Sequence, residues 1–430
     1  MILSFYSKSE YSVNRKERVL RKMFMMQSSD RIFKRGDILI PKGNLDKWAV
    51  VACDQFSSDI PYWEDVEKIA GEYPSAFKLI IPEAYLGFAD IGKETVRINK
   101  TMDSYLNTGV FSELKDSFVY TERTLCSGKV RKGLLGLLDL EAYDWREGSD
   151  TPVRATEGTI EARLPARVSI RKNASLEIPH IIVFINDTSG DIISDDDSYE
   201  TVYDIELMKN GGSVRGKRVE GDKAEELEEK IAALYTEKGQ IVFAIGDGNH
   251  SLAAAKAHWE EKKKSLGDDR AKEDPARYAL VELENIHDPG VIFEPIHRVI
   301  FNTDASAFVK EFEEYCRGLQ GRNYIVTAAS GKDKHEISVP SLSYGALIEN
   351  CESFCRDYAL SRGGRIDYIH GDPEALEFAS APGNAGLILP GMEKEELFSS
   401  VASFGPFPRK SFSVGLGADK RYYLESRKLK

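Results

Sequence analysis

Apolar and polar positions along this chain keep switching between two rhythms. Short continuous or alternating apolar runs read as strands, and spacing at i, i+3, i+4 and i+7 reads as helices. "WAVVAC" from Trp48 is strand-like and is followed by the helical "YWEDVEKIAGEY". The apolar run "AFKLIIPEAYL" comes next, then an amphipathic stretch over 94–106. "SFVYTERTL" and "VRKGLLGLLDLEAY" read as adjacent strands, the first ending at a Ser-Gly turn. "HIIVFIND" is a further strand, and 221–240 is a helix, with Asp222 as its cap, Glu225 completing a capping box and Gly239 as its stop. The loop "GDDRAKEDP" leads to the strands "ARYALVELENI" and "VIFEPIHRVIF". A second alternating set follows. It consists of the helix "DASAFVKEFEEYCRGL", the strands "NYIVTAA" and "HEISVP", a helix from Gly345, then "RIDYIHG", "AGLILPG", the helix "EKEELFSSVA" and the closing strand "KRYYLES". This order predicts a mixed α/β (α+β) protein of layered sheets and helices.

One junction stands out. In "QIVFAIGDGNHSLAAAKAHWEEKKK" an apolar run over 241–245 stops at Gly-Asp-Gly-Asn-His, and an alanine-rich helical segment begins at Ser251. Such a turn leaves the first N–H groups of the helix at the carboxyl end of the strand, where the helix dipole favours an anion and glycines permit close approach. The same residues have a plainer use, because Asp247, Asn249 and Ser251 are all helix-capping types. Against that stands the number of polar side chains in the row and the placement of His250 in a first turn. A charged imidazole is disfavoured there unless a negative group lies beside it.

Composition narrows the classes. The chain has 430 residues, too many for one small core, so several packed units are expected. The net charge of −12 and pI near 5.3 argue against a general nucleic-acid binder while leaving room for a local basic pocket. No run approaches the roughly 20 apolar residues of a membrane span. The amino terminus has no apolar core followed by a small-residue cleavage site, so a cytoplasmic protein is expected. Met23, Met25 and Met26 suggest an overlong gene start, and 1–34 is expected to be disordered. Units are expected at 35–145, 146–302 and 303–430. Cys351 and Cys355 fall on one apolar helical stripe with Leu347, Ile348, Phe354 and Tyr358, which reads as core packing in a reducing compartment, not as a metal pair.

Several separate segments carry a family resemblance. "FAIGDGNHSLAAAKAHWE" resembles the aspartate-glycine-histidine-histidine-arginine segment of the family called domain of unknown function 1015. "VRATEGTIEARLPARVSIRKNASLEIPHIIVFIND" resembles its arginine, glutamate and threonine segment, "IFEPIHRVI" its proline, histidine and arginine strand, and "VVACDQF" and "FPRKSFSVGLGADKRYYLES" its opening and closing segments. The turn is also similar to the phosphate-binding motif of the wider ParB and sulfiredoxin superfamily, which includes a kinase of free serine. The resemblance implies a ParB/sulfiredoxin-like nucleotide-binding core with additional α/β subdomains, nucleotide phosphates at the helix start, and an acidic residue acting on a substrate hydroxyl. Asn249 stands where many relatives have a histidine, and Ser251 where they have arginine, the usual phosphate fork. Positive charge would then come from Arg154, Arg163, Arg167 or Lys256.

Candidate roles follow. Glu157, in a Gly-containing loop before a helix and flanked by Arg154, is the candidate general base or metal ligand; a surface ion pair is the bland alternative. Asp247 could hold Mg²⁺ against a phosphate, or simply cap the helix. His250 could donate to a phosphate or act as an acid. Gly246, Gly248, Asn249, Ser251, His297 and Arg298 are the remaining candidate phosphate contacts. Asp54 and Gln55 follow a strand and could border the same cleft. A nucleotide-dependent kinase or phosphotransferase with ATP or ADP and Mg²⁺, acting on a serine-like hydroxyl, is the first expectation. A non-catalytic nucleotide or phosphometabolite sensor is the second, and a ParB-like DNA-associated protein ranks below both. The partners implied are a small molecule and a nucleotide, with no membrane and a homodimer left open.

Overall fold

The computed structural model describes residues 31–146 and 148–430. The expectation for the amino-terminal stretch therefore lies, up to residue 30, outside the described residues. A mixed α/β architecture is observed, organised by two sheets. The larger sheet has 11 strands. Its path runs Glu200–Glu206, Ser213–Val219, Phe111–Thr124, Val130–Asp139, Tyr278–Asn285, Ile182–Ile185, Phe243–Asp247, Val153–Ala155 and Tyr143–Asp144. The first half is an antiparallel meander, as the adjacent apolar runs over 117–143 required. Every residue of Tyr278–Asn285 is buried, so this strand has no solvated face and reads as an unbroken apolar run apart from its acids. Those acids are neutralised inside the protein: Glu284 lies 2.8 Å from Arg131, and Glu282 lies 3.0 Å from Arg421.

The second sheet is ordered Asp333–Ser341, Arg322–Ser330, Ala385–Ile388, Phe293–Phe301 and Arg365–His370, with Phe412–Val414 on the leading end of Phe293–Phe301. Tyr344–Arg362 packs here with Cys351 and Cys355 fully buried in the apolar cluster, as the helical stripe required. Asp372–Ser380 covers the other face through Ala375 against Val299 and Ile388. The expected cut at 145/146 passes between strands of the larger sheet, and Phe293–Phe301 pairs within the second sheet. The last residues return to the first half of the chain. Tyr422–Tyr423 pairs with Val50–Val51, Arg427–Lys428 with Leu176–Glu177, and Ser426 exchanges both main-chain bonds with Leu39.

Three local expectations are corrected. "AFKLIIPEAYL" forms two short 3-10 turns, Ala76–Leu79 and Glu83–Tyr85, because Pro82 interrupts any ladder. The loop over 267–275 contains the helix Asp268–Glu273. The helix after Val219 is Gly221–Ala232, with Glu220 at the cap position and no side-chain cap, so the box on Asp222 and Glu225 does not form. Glu225 is instead drawn to Arg31 and Arg35.

Two features of the fold place the site. Phe243–Asp247 and Val153–Ala155 pair in parallel with Ile245 opposite Ala155, so the residues following both strands emerge side by side. From the second sheet, Phe412 pairs with Pro295, and the Phe407 N–H donates to the Thr156 carbonyl at 2.7 Å. The segment 407–414 is thereby stretched across the ends of both strands.

Candidate functional site

A cavity of about 390 Å³ opens where these segments meet. Gly246 to Ser251, Thr156 and Glu157, Asp54 and Gln55, Arg167 and Glu83, His370, Arg409 to Val414, and Lys420 line it. The helix Asn249–Lys263 points its amino end into this space. Gly248 is its N-cap at φ 78°, in the left-handed region that favours glycine, and no side chain caps the helix. Gly246 is required for another reason: a Cβ there would lie 2.3 Å from the Phe184 ring.

The polar side chains of the turn are therefore not caps; each ties the turn to a different segment. The Asn249 Oδ1 accepts from the Thr156 N–H at 3.2 Å, and His250 Nε2 accepts from the Ile160 N–H at 3.1 Å. The Ser251 hydroxyl lies 3.2 Å from His180 Nε2, whose other ring nitrogen is 2.9 Å from the Tyr423 hydroxyl. The Thr156 hydroxyl donates to the Ile245 carbonyl at 2.5 Å, locking the loop after Val153–Ala155 to the strand beside it. A first helical turn without a side-chain cap, held by its neighbours and facing a cavity, is a ready site for an anion.

Two carboxylates face each other across this mouth. Burial, together with the nearby Asp247 charge, raises the Glu157 carboxyl above its ordinary range, against the opposing pull of Lys410 and Arg409. Asp247 accepts from the Gly248 N–H at 2.8 Å and lies 3.1 Å from Lys420 Nζ, a lysine only 7% exposed. Burial would also lift Asp54, but the His180 charge, the Gln55 donor and Lys420 hold it below the usual carboxylate range. His370 is pushed down by burial and by the Lys410 and Lys420 charges. A carboxyl whose pKa is raised, beside cations that could hold an anion, is the arrangement expected of acid–base work on a charged ligand.

A model of one protein family matches residues 37–427, almost the whole of the chain. The chain belongs to the family described as "Protein of unknown function (DUF1015)". No curated protein matches it in sequence. Distant likenesses to solved structures accompany the family match. A free serine kinase in complex with AMP shows a TM-score of 0.36 at 10% identity, over 70% of this chain and 93% of that one. A conserved hypothetical protein from Pyrococcus furiosus gives 0.33 at 11%, over 70% and 97%. SbnI from Staphylococcus aureus, truncated at its C-terminus, gives 0.33 at 10%, over 66% and 82%. At TM-scores this low no residue takes a role from these proteins.

Within this DUF1015 member the predicted residues divide. Glu157, Asp247, His250, Gly246, Gly248, Asn249 and Ser251 line one cavity, joined by Asp54, Gln55 and Arg167. Arg154 does not reach it: its guanidinium donates to the carbonyls of Thr151 and Gly239. His297 is fully buried, with Nδ1 accepting from the Leu389 N–H and Nε2 3.0 Å from Asp372. Arg298 is fully buried too, donating to the carbonyls of Ile296 and Lys410 and to Glu352. It acts on the site indirectly, by holding the Lys410 backbone. Lys256 pairs with Glu260 on its own helix, and the Arg163 side chain lies outside the described set. The cations that do line the cavity with Arg167 are Arg409, Lys410 and Lys420. Lys410 holds a left-handed backbone at φ 60°.

Proposed function

We propose that this protein is a nucleotide-dependent phosphotransferase, built on a ParB/sulfiredoxin-like nucleotide-binding core, that acts on the hydroxyl of a small amino-acid-like substrate. The observation that carries it is the joint opening of the Asn249–Lys263 helix start and of Glu157 onto one cavity walled by Arg409, Lys410, Lys420 and Arg167. Phosphoryl transfer needs little covalent chemistry from a protein. It needs phosphates held against cations and amides, and a base near the attacking hydroxyl. In this assignment the helix start and Lys420 bind phosphate, Arg409 and Lys410 cover it from the second sheet, and Glu157 accepts the proton of the hydroxyl. Asp247 and His250 shape the turn between them.

Among the described residues no group of three or more His, Cys, Asp or Glu is arranged to hold a metal. Mg²⁺ does not require one, because it retains water and is completed by substrate phosphates. Asp247 fits such a part only in competition with Lys420, which lies on its second oxygen. When bound, the ion would neutralise phosphate charge. That lysine also favours the second reading, a sensor that binds phosphate without turnover.

The test is an assay for phosphate transfer from ATP or ADP to free serine and related hydroxy amino acids, with Mg²⁺, on wild type and Glu157→Gln. Product from the wild type, and its loss in Glu157→Gln with nucleotide binding retained, is the expected result. Saturable binding without product would leave the sensor, and no binding by millimolar nucleotide would end the phosphotransferase and the nucleotide sensor alike.

A further inference from the structure

A second cavity, of about 310 Å³, lies directly beside the first. Glu83, Arg167 and Ser251 line both, so the two share a wall. Their chemistry differs completely. The second is walled mainly by aliphatic side chains, among them Leu79, Ile98, Met102, Leu176 and Ala254. Ile98 is fully buried, and Leu79, Met102 and Leu176 are nearly so, whereas Leu86 at the rim remains 47% exposed. At the junction the charges are matched: the Arg167 guanidinium lies 2.6 Å from the Glu83 carboxylate.

We propose that this slot receives an aliphatic group of the acceptor molecule whose hydroxyl faces Glu157 and whose phosphate, once transferred, sits at the Asn249–Lys263 helix start. The proposal rests on the function assigned above and narrows its acceptor to a molecule with an alkyl- or acyl-type tail. Empty space lined by aliphatic atoms inside a protein is unfavourable unless something apolar fills it, because the lining loses its contacts. A purine is the wrong guest. Its ring edge carries donors and acceptors that these walls leave unpaired. The Tyr423 hydroxyl is already engaged by His180. Of the polar side chains that face the slot, Arg171 and Glu177 are paired with each other, and Glu83, Arg167 and Ser251 stand at the junction, where a head group would turn towards Ser251. A straight tail with a polar end therefore matches both compartments at once.

The test uses inorganic phosphate and straight-chain alkyl phosphates from butyl to decyl, titrated calorimetrically below their micellar concentrations. Affinity is expected to rise roughly fourfold per added methylene until the slot is full. Ala254→Phe should abolish the dependence on chain length and leave inorganic phosphate binding unchanged. Ile170→Trp, which narrows the slot from a half-buried position, repeats the test if the first variant does not fold. Inorganic phosphate that binds while decyl phosphate binds no better than butyl would overturn the slot and leave the phosphate site standing. Failure of inorganic phosphate with decanol binding as tightly as decyl phosphate would sever head from tail and overturn this proposal, and the function assigned above would fail with it. Competitive displacement of decyl phosphate by adenosine would assign the slot to a nucleobase and overturn it as well.

Discussion

Replacing Lys420 with methionine removes the cation that contacts Asp247 while keeping a side chain of similar length. The pair is separated by 3.1 Å, with side chains 9% and 17% exposed. Exposed ion pairs contribute about 0–1 kcal/mol, and stripping one partner from a fully buried pair costs about 3–5 kcal/mol. This pair lies between those limits, since Asp247 faces the cavity and keeps the Gly248 N–H as a donor. A loss of about 1–2 kcal/mol is expected for Lys420→Met, measured by urea unfolding with an unchanged slope. Asp247→Asn should cost less, because amide and lysine can both be solvated at the cavity mouth. In a double-mutant cycle the coupling should be about 1 kcal/mol, above the roughly 0.3–0.5 kcal/mol by which independent sites depart from additivity. The same variants divide on ligand. Lys420→Met should weaken inorganic phosphate roughly 10- to 150-fold, the range of a hydrogen bond of about 1.5–3 kcal/mol to a charged group. Asp247→Asn, which removes a negative neighbour and releases Lys420, should tighten phosphate in the absence of Mg²⁺. Equal phosphate affinity across wild type and both variants would refute the claim that this corner of the cavity receives an anion.

Other consequences are independent of that cycle. Because burial raises Glu157, the folded state binds its proton more tightly than the unfolded state does. That contribution is fully present below the unfolded carboxyl range and is lost as pH rises through the raised folded value. Glu157→Gln should therefore raise the melting temperature at neutral pH and give no advantage at acid pH; a uniform shift across pH would contradict the assignment. Turnover should rise with pH along a limb set by the same group. Gly246→Ala would drive a methyl against the Phe184 ring, and overpacking of this kind costs about 1–3 kcal/mol. Circular-dichroism melts should show it, and an unchanged melting temperature would mean that the strand can shift. Burial pushes the Cys53 thiol up to about 12, with Asp54 adding to it, so a thiol reagent at pH 8 should modify the exposed Cys126 first and the half-buried Cys53 much more slowly. Mass mapping after partial labelling decides the point.

The turn at 246–251 could be read from the chain because its parts are contiguous: a strand, two glycines and a helix announce themselves by spacing. Glu157 stands out in the chain as an acid flanked by Arg154 in a Gly-containing loop before a helix, whereas the three-residue strand Val153–Ala155 that carries it is too short to announce itself. What could not be read is which charges arrive from elsewhere. Arg409 and Lys410 reach the cavity only because Phe412–Val414 pairs with Phe293–Phe301 and Phe407 bonds Thr156. Lys420 arrives because the tail folds back onto Val50–Val51. Those are long-range pairings with no local signature, although the adjacent "RK" after a proline was a visible clue. The opposite error has a physical cause too. Arg154, His297 and Arg298 have the chemistry of ligand contacts, yet strand periodicity says only that one face turns inward, and buried main-chain groups claim inward arginines as readily as phosphates do. The strands Glu200–Glu206 and Ser213–Val219 carry no clear apolar alternation, because their outer faces are charged and solvated, and the stretch before them, 186–200, is acidic. In the fold its Asp195 and Asp196 are paired with Lys217 and Lys223.

The central claim is that the start of the Asn249–Lys263 helix is kept for a phosphate facing Glu157. Its most direct test is a crystallographic difference map from crystals equilibrated with saturating ADP and Mg²⁺. A phosphate within hydrogen-bond distance of the Asn249 amide and of Lys420, with Glu157 across from it, is the predicted result. Nucleotide bound elsewhere, or a cavity whose mouth is closed by the side chains of Arg409 and Lys410 with no ligand density, would contradict the account.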